Sequence, residues 1–170
     1  MLTANKMRQE LADMIAFLAE TPEAVRRLRD GFEGDELRAR ADDGSFSFVE
    51  HVCHLRDIER EGYGARIEKI LSEELPPLED LDGAALARER LYNEQEFEGG
   101  LEDFSRSREW NLFVLRCVSA EQLERRGLFE GVGEITLARL VSMMYEHDAA
   151  HRAELSELRR QLLGRRPAGA

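Results

Sequence analysis

From Leu137 to Leu162 the apolar residues Leu137, Leu140, Val141, Met144, Leu155, Leu158 and Leu162 recur at three- and four-residue spacing, which predicts one long amphipathic helix over about 134–163. A stripe of that length must be buried against other helices, and this confines the chain to a helical bundle. On the same stripe lie His147 and His151, four residues apart and so one above the other. Imidazoles facing a core need partners for their ring nitrogens, and a shared metal ion is one such partner.

The rest of the sequence follows the same period. Met7, Leu11, Met14, Ile15 and Leu18 predict a first helix over 6–19. Thr21-Pro22 then looks like a restart, with a threonine cap and a proline at the first helical position, giving a short helix through Val25 and Leu28. A polar, glycine-bearing connection over 31–44 follows. Ser47-Phe48-Val49-Glu50 is a capping box that opens a helix to about Glu73, with Phe48, Val52, Leu55, Ile58, Gly62, Ala65 and Ile70 facing inward. Pro76-Pro77 stops it. A third long pattern over 84–118 carries Leu86, Leu91, Phe97, Leu101, Phe104, Phe113, Leu115 and Val118, and Gly99-Gly100 marks a kink or a close helix contact in it. Ser119-Ala120-Glu121-Gln122 caps a short helix ending near Gly127, and a glycine-bearing loop over 129–133 leads to the last helix, with Gly164 as its stop and Pro167 beyond. No strand pattern is evident. The expectation is one all-α domain over residues 1–170, a four-helix bundle whose long connections permit a topology other than up-and-down.

The 170 residues carry a net charge of −11, which repels phosphate and argues against nucleic acid as a partner. Arg159, Arg160, Arg165 and Arg166 read as a helix C-terminus complementing its dipole rather than as a binding tail. No apolar run is long enough for a membrane span, and the start of the chain shows no signal-peptide pattern. Cys53 and Cys117 form no CxxC pair and read as buried thiols of a reducing compartment, so the expected location is the cytoplasm.

The remaining histidines, His51 and His54, lie far upstream on the second long helix, about 60° apart around its axis. Two helices could thus build one metal site, with His147 and His151 from one and a third imidazole from the other. Spacing leans slightly to His51, because it sits nearer the centre of the Leu55/Ile58 stripe, and leaves His54 open. Asp148 stands where a zinc protease needs glutamate, so a protease is disfavoured. Ser142 and Ser156 lack a nucleophile elbow, Gly131-Val132-Gly133 follows no strand, and Met143-Met144 reads as core. Trp110 and Tyr92 are candidates for pocket walls, with packing the simpler role.

The stretches Phe46-Ser47-Phe48-Val49-Glu50-His51-Val52-Cys53-His54-Leu55-Arg56-Asp57-Ile58-Glu59 and Met144-Tyr145-Glu146-His147-Asp148-Ala149-Ala150-His151 resemble the second- and fourth-helix motifs of the DinB-like family. Tyr92-Asn93-Glu94-Gln95 and Gly133-Glu134-Ile135-Thr136-Leu137 also resemble family features. The resemblance implies a four-helix bundle with a long crossover, often a homodimer, and a three-histidine site for a divalent metal, zinc or nickel. It places the first ligand on His54 rather than His51, and the other two on His147 and His151. The chain departs from the family pattern in having Phe46 where Trp is common and Glu154 where Gln is frequent.

By resemblance the function is that of a metal-dependent enzyme, a transferase using a low-molecular-weight thiol or a hydrolase of a small electrophilic substrate. The alternative is a non-catalytic bundle with a structural metal site, acting through protein contacts in a stress response. Asp148, Glu50 and Asp57 are expected to orient the imidazoles.

Overall fold

The computed structural model describes residues 2–166, with side chains described at residue 6 and from residue 8 onward; the Met7 side chain and Pro167 lie outside the described residues. Four long helical pieces make the bundle: α1 (Leu2–Arg29), the rod of α2 (Phe48–Asp57) and α3 (Ala65–Ser72), α5 (Phe97–Cys117), and α7 (Leu137–Arg165). Each of α1 and α2 packs against both α5 and α7. Consecutive helices α1 and α2 are therefore diagonal rather than adjacent, as are α5 and α7, and each diagonal step needs a long connection.

The fold departs from the sequence reading at several points. The expected restart at Thr21-Pro22 is absent, because α1 runs through it. Proline has no N–H to give the Leu18 carbonyl four residues back. That carbonyl is instead bonded by the Arg108 guanidinium at 2.8 Å, and the Thr21 hydroxyl donates to the Phe17 carbonyl rather than capping a helix. Between α2 and α3 the helix widens into a π-turn over Ile58–Gly64. The Glu59 carbonyl within it is bonded by the Asn111 side-chain amide at 3.2 Å, and Gly64 leaves room for that amide: a Cβ there would sit 3.1 Å from Asn111 Oδ1.

The single pattern expected over 84–118 is also interrupted. It divides into α4 (Gly83–Glu89), a 3-10 turn (Tyr92–Glu94) and α5, with Leu91 in the left-handed region at φ 50° and exposed, as is Phe113. Gly100 makes a close contact with α2, where a Cβ would lie 3.1 Å from Val52 Cγ1.

The Ser119 box caps α6 (Ala120–Leu123) as expected, yet Gly127 lies in a strand rather than at a helix end. Three short strands, β1 (Pro77–Leu78), β2 (Arg126–Phe129) and β3 (Gly133–Thr136), form a small sheet with β1–β2 parallel and β2–β3 antiparallel. They escaped the sequence reading because each is only two to four residues long, below the length at which alternation is visible. Gly131 and Gly133, at φ 73° and 100°, turn the hairpin. Thr136 then caps α7, which passes through Gly164 instead of stopping there. The terminal arginines do more than complement a dipole: Arg159 donates to the Leu28 and Asp30 carbonyls, while Arg165 and Arg166 bond the Arg40 and Gly31 carbonyls. They fasten the polar connection over 31–44 to the end of α7.

The core has two apolar halves. One gathers Leu18, Ile70, Leu112, Leu115 and Met144; the other gathers Val25, Phe48, Leu101, Phe104, Leu155 and Leu158. Each fully buried side chain of this size contributes roughly 1.5–3 kcal/mol. Between the halves runs a buried polar layer, to which α1 gives Thr21, the rod His54 and Glu59, α5 Arg108 and Asn111, and α7 Asp148, with His147 and His151 at its partly open edge. The helices converge on that layer.

Candidate metal centre

Phase decides which residues of α2 and α7 face each other. His54 and His147 meet with Nε2 atoms 3.1 Å apart, and the Nε2 atoms of His147 and His151 are 3.2 Å apart. His147 Nε2 carries either one proton or one lone pair, so it cannot make an ordinary linear hydrogen bond to both neighbours at once. A cation shared by three lone pairs satisfies all of them. Nitrogens bound at about 2.0–2.1 Å lie roughly 2.8–3.4 Å apart for angles between octahedral and tetrahedral, a range that contains the observed spacings. The donor set is chemically suited as well: burial, reinforced by the adjoining imidazoles, pushes His54 down to about 2, and burial lowers His147. Neutral imidazoles are what a borderline divalent ion requires.

The far side of each ring is held differently. His151 Nδ1 lies 2.9 Å from the Glu154 carboxylate, whose pKa that bond lowers. His147 Nδ1 is 3.9 Å from Asp148 Oδ1, too long for a hydrogen bond. His54 Nδ1 is buried and bonded to nothing among the described residues; its ring edge packs on Gly83, the first residue of α4, where a Cβ would stand 2.3 Å from His54 Cε1 and 2.7 Å from Nδ1. Phe46 covers the assembly from the α2 side, its ring centroid 5.5 Å from that of His54 and 5.6 Å from that of His51.

Gly83→Ala should therefore move the His54 ring. Overpacking of this kind costs about 1–3 kcal/mol, to be measured by urea denaturation, together with weaker metal binding.

His51 belongs to the same neighbourhood but not to the same point. Its Nδ1 lies 3.1 Å from His151 Nδ1, on the opposite edge of that ring from the Nε2 cluster. His51, His151 and Glu154 form a second group with ligand-type atoms close together, alongside the group of His54, His147 and His151. One imidazole seldom serves two ions, and His151 Nδ1 already faces both His51 Nδ1 and the Glu154 carboxylate.

The carboxylates expected to orient the imidazoles are placed otherwise. Glu50 closes the Ser47 capping box and pairs with Arg40. Asp57 accepts from Arg56, Arg90 and the Tyr92 hydroxyl, which locks the 3-10 turn before α5. Asp148 is taken by Arg108, whose two terminal nitrogens reach it at 2.6 and 3.0 Å while one also reaches Glu59 at 2.8 Å. The guanidinium holds Asp148 well below the usual carboxylate range despite full burial. Glu154, by contrast, does touch an imidazole.

Cys53 is buried, its thiol pushed up to about 11 by burial, and Cys117 is exposed at the end of α5, against the expectation that both are buried. Trp110 lies on the surface, stacked on Phe113 beside a cleft of about 690 Å³ that contains no histidine. No helix among the described residues is long and apolar enough to cross a membrane.

Burial fixes how the ion-free protein responds to acid. His51 is pushed down to about 3 and His54 to about 2 from 6.5, so from about pH 6.5 downward the unfolded chain binds protons that the folded chain refuses. Folded-state pKa values below the unfolded ones mean that stability falls as pH drops through this window, by up to about 1.4 kcal/mol per pH unit for each ring. Urea midpoints of chelated protein should decline from about pH 7 to about pH 5, and His51→Asn should flatten the decline.

The family model described as the DinB superfamily matches residues 17–155. Among solved structures the chain is similar to YfiT from Bacillus subtilis, with a TM-score of 0.83 and 22% identity over 91% of this chain and 88% of that one. YfiT is described as "a probable metal-dependent hydrolase with an unusual four-helix bundle topology", and the likeness establishes the fold. Comparison with curated proteins returns no match. The family match takes in the His54 helix, the crossover, and both His147 and His151, and on that match the chain is a member of the DinB superfamily.

Proposed function

We propose that this protein is a metal-dependent enzyme in which His54, His147 and His151 hold a divalent ion, zinc or nickel, and which acts on a small electrophilic substrate by hydrolysis or by transfer of a small thiol. The observation that carries the reading is the convergence of three imidazole Nε2 atoms within 3.1–3.2 Å contacts about His147. When bound, such an ion supplies a Lewis acid that favours the deprotonated form of a water or thiol.

The chain's own residues supply the rest. The Glu154 carboxylate, 2.9 Å from His151 Nδ1, is placed to orient that ring so that its Nε2 faces the other two. The His147 side chain is 22% exposed, so the triad is open on one side to a reactant. Phe46 and Tyr63 flank the rings and restrict water there. That opening favours catalysis over a closed structural site, in which all positions would be filled by protein.

Replacing Glu154 by Ala is expected to weaken zinc binding about 10- to 100-fold, with Gln retaining part of it. Competition titration with a chromophoric chelator measures this. The reading as a whole is tested by assaying esters, amides and thiol acceptors with metal-free and zinc- or nickel-reconstituted protein. Turnover that appears on reconstitution and is lost in His147→Ala supports it; turnover indifferent to the ion contradicts it. Tight metal binding with no turnover across the panel favours the structural site.

A further inference from the structure

His54 has its outer nitrogen, Nδ1, buried and bonded to nothing among the described residues, so no hydrogen bond there sets the angle of the ring. Packing must set it instead. Gly83, the first residue of α4, lies on the ring edge without room even for a methyl group. The position of α4 therefore governs the position of His54.

α4 is only seven residues long, too short to hold a place by itself. It is tied on both sides to the rod that carries His54. Before it, the Arg66 guanidinium of α3 donates to the Glu79 carbonyl at 3.0 and 2.6 Å. After it, Arg90 donates to Asp57 at 2.6 Å and forks onto the Glu61 carboxylate at 2.9 and 2.8 Å. Asp57 stands about one turn beyond His54, and Glu61 about one turn beyond Asp57.

The chain bends sharply to make the second tie. Leu91 takes φ 50°, a left-handed conformation that is costly for a leucine, and its side chain is 55% exposed. An exposed side chain gains little from such a bend. What the bend brings into place is Arg90 on one side of it and, on the other, the Tyr92 hydroxyl, which donates to Asp57 at 2.7 Å. Gln95 closes the turn by donating to the Arg90 carbonyl at 2.8 Å while accepting from Arg56 at 2.9 Å.

We infer that Arg90 is a positioning residue for His54: by clamping the end of α4 to Asp57 and Glu61 it keeps Gly83 seated on the ring, which holds Nε2 toward His147 and His151. Asp57 then has the orienting part expected of it at second hand, through Arg90 and the crossover rather than by touching an imidazole. The clamp stands on the protein's own contacts, and its consequence for an ion rests on the metal reading.

Two readouts on full-length protein test it. In metal-free protein, diethyl pyrocarbonate acylates accessible imidazoles, and peptide mass spectrometry gives the rate at His54, which is 8% exposed. Arg90→Ala should fold, because Asp57 keeps Arg56 and Tyr92. It should raise the His54 rate about tenfold, the local opening expected when a charge-assisted bond is lost. In chelator competition it should weaken zinc binding about tenfold or more. In cobalt(II)-loaded protein it should alter the visible ligand-field bands, which report the geometry of the donor set. Arg90→Lys keeps the charge but not the fork, and should restore part of each.

Leu123→Ala separates positioning from stability. It empties a buried place on α6 beside Leu11 and Ile15, so it lowers the urea midpoint while leaving α4 clamped. Its His54 rate and zinc affinity should stay within about threefold of the natural protein. An Arg90→Ala protein that only loses stability, as Leu123→Ala does, overturns the inference. So does a raised His54 rate with zinc affinity and cobalt bands unchanged. If the natural protein binds no zinc, the metal reading fails by itself, and the His54 rate alone decides the clamp.

Discussion

Replacing Arg108 by Ala is expected to cost about 3–5 kcal/mol of folding stability, measured by urea denaturation of metal-free protein. The side chain is 2% exposed and holds Asp148 and Glu59, themselves 0% and 1% exposed, so its removal leaves two buried carboxylates without a cation. It also strands the Leu18 carbonyl that Pro22 cannot bond. Against a total stability of roughly 5–15 kcal/mol for a domain of this kind, that loss is large. Arg108→Lys keeps the charge but loses the fork that spans both carboxylates, and should lie between Ala and the natural protein. The triple change Arg108→Met, Glu59→Gln and Asp148→Asn removes the charges together and should be more stable than Arg108→Ala. A cost below about 1 kcal/mol for Arg108→Ala, the size of a surface pair, would show that the polar layer does not hold the two core halves in place.

His147→Ala should lower zinc affinity more than the roughly 100-fold that follows from disturbing an outer partner of a ligand. His147 is the residue whose Nε2 touches both other Nε2 atoms, so its loss leaves His54 and His151 without a third donor between them. The metal-free fold should change little. His147 is partly exposed, and its nearest carboxylate, Asp148, keeps its bonds to Arg108. The expected signature is therefore a split, with affinity lost and metal-free stability nearly unchanged, read by chelator competition and by urea denaturation. Affinity within about threefold of the natural protein, under 1 kcal/mol, would place the ion elsewhere.

The parts legible in the sequence were those set by long repetition. The stripe from Leu137 to Leu162 announced α7, and the Ser47 and Ser119 boxes announced α2 and α6, because capping and periodicity are local. The apparent break at Thr21-Pro22 misled because what repairs it comes from Arg108, 90 positions away in sequence. The choice between His51 and His54 could not be read from spacing, since a helical wheel gives direction but not which neighbour's nitrogen lies opposite. The structure puts His54 at the Nε2 point and His51 behind His151.

Two further residues left a signal that periodicity alone could have caught. Arg108 sits between Phe104 and Leu112 on the α5 stripe, and Glu59 follows Leu55 and Ile58 on the rod. A charge on an apolar stripe demands an opposite charge on a facing one. Gly83 gave no such signal, because its contact with His54 depends on how the crossover folds back onto α2.

The most direct test of the metal reading is an anomalous-scattering map recorded at the zinc edge from crystals of protein prepared without a histidine tag and reconstituted with zinc. The expected result is one peak per chain, within about 2.0–2.2 Å of the Nε2 atoms of His54, His147 and His151. No peak among these residues, or a peak bound instead to His51 Nδ1 and Glu154, would contradict the account.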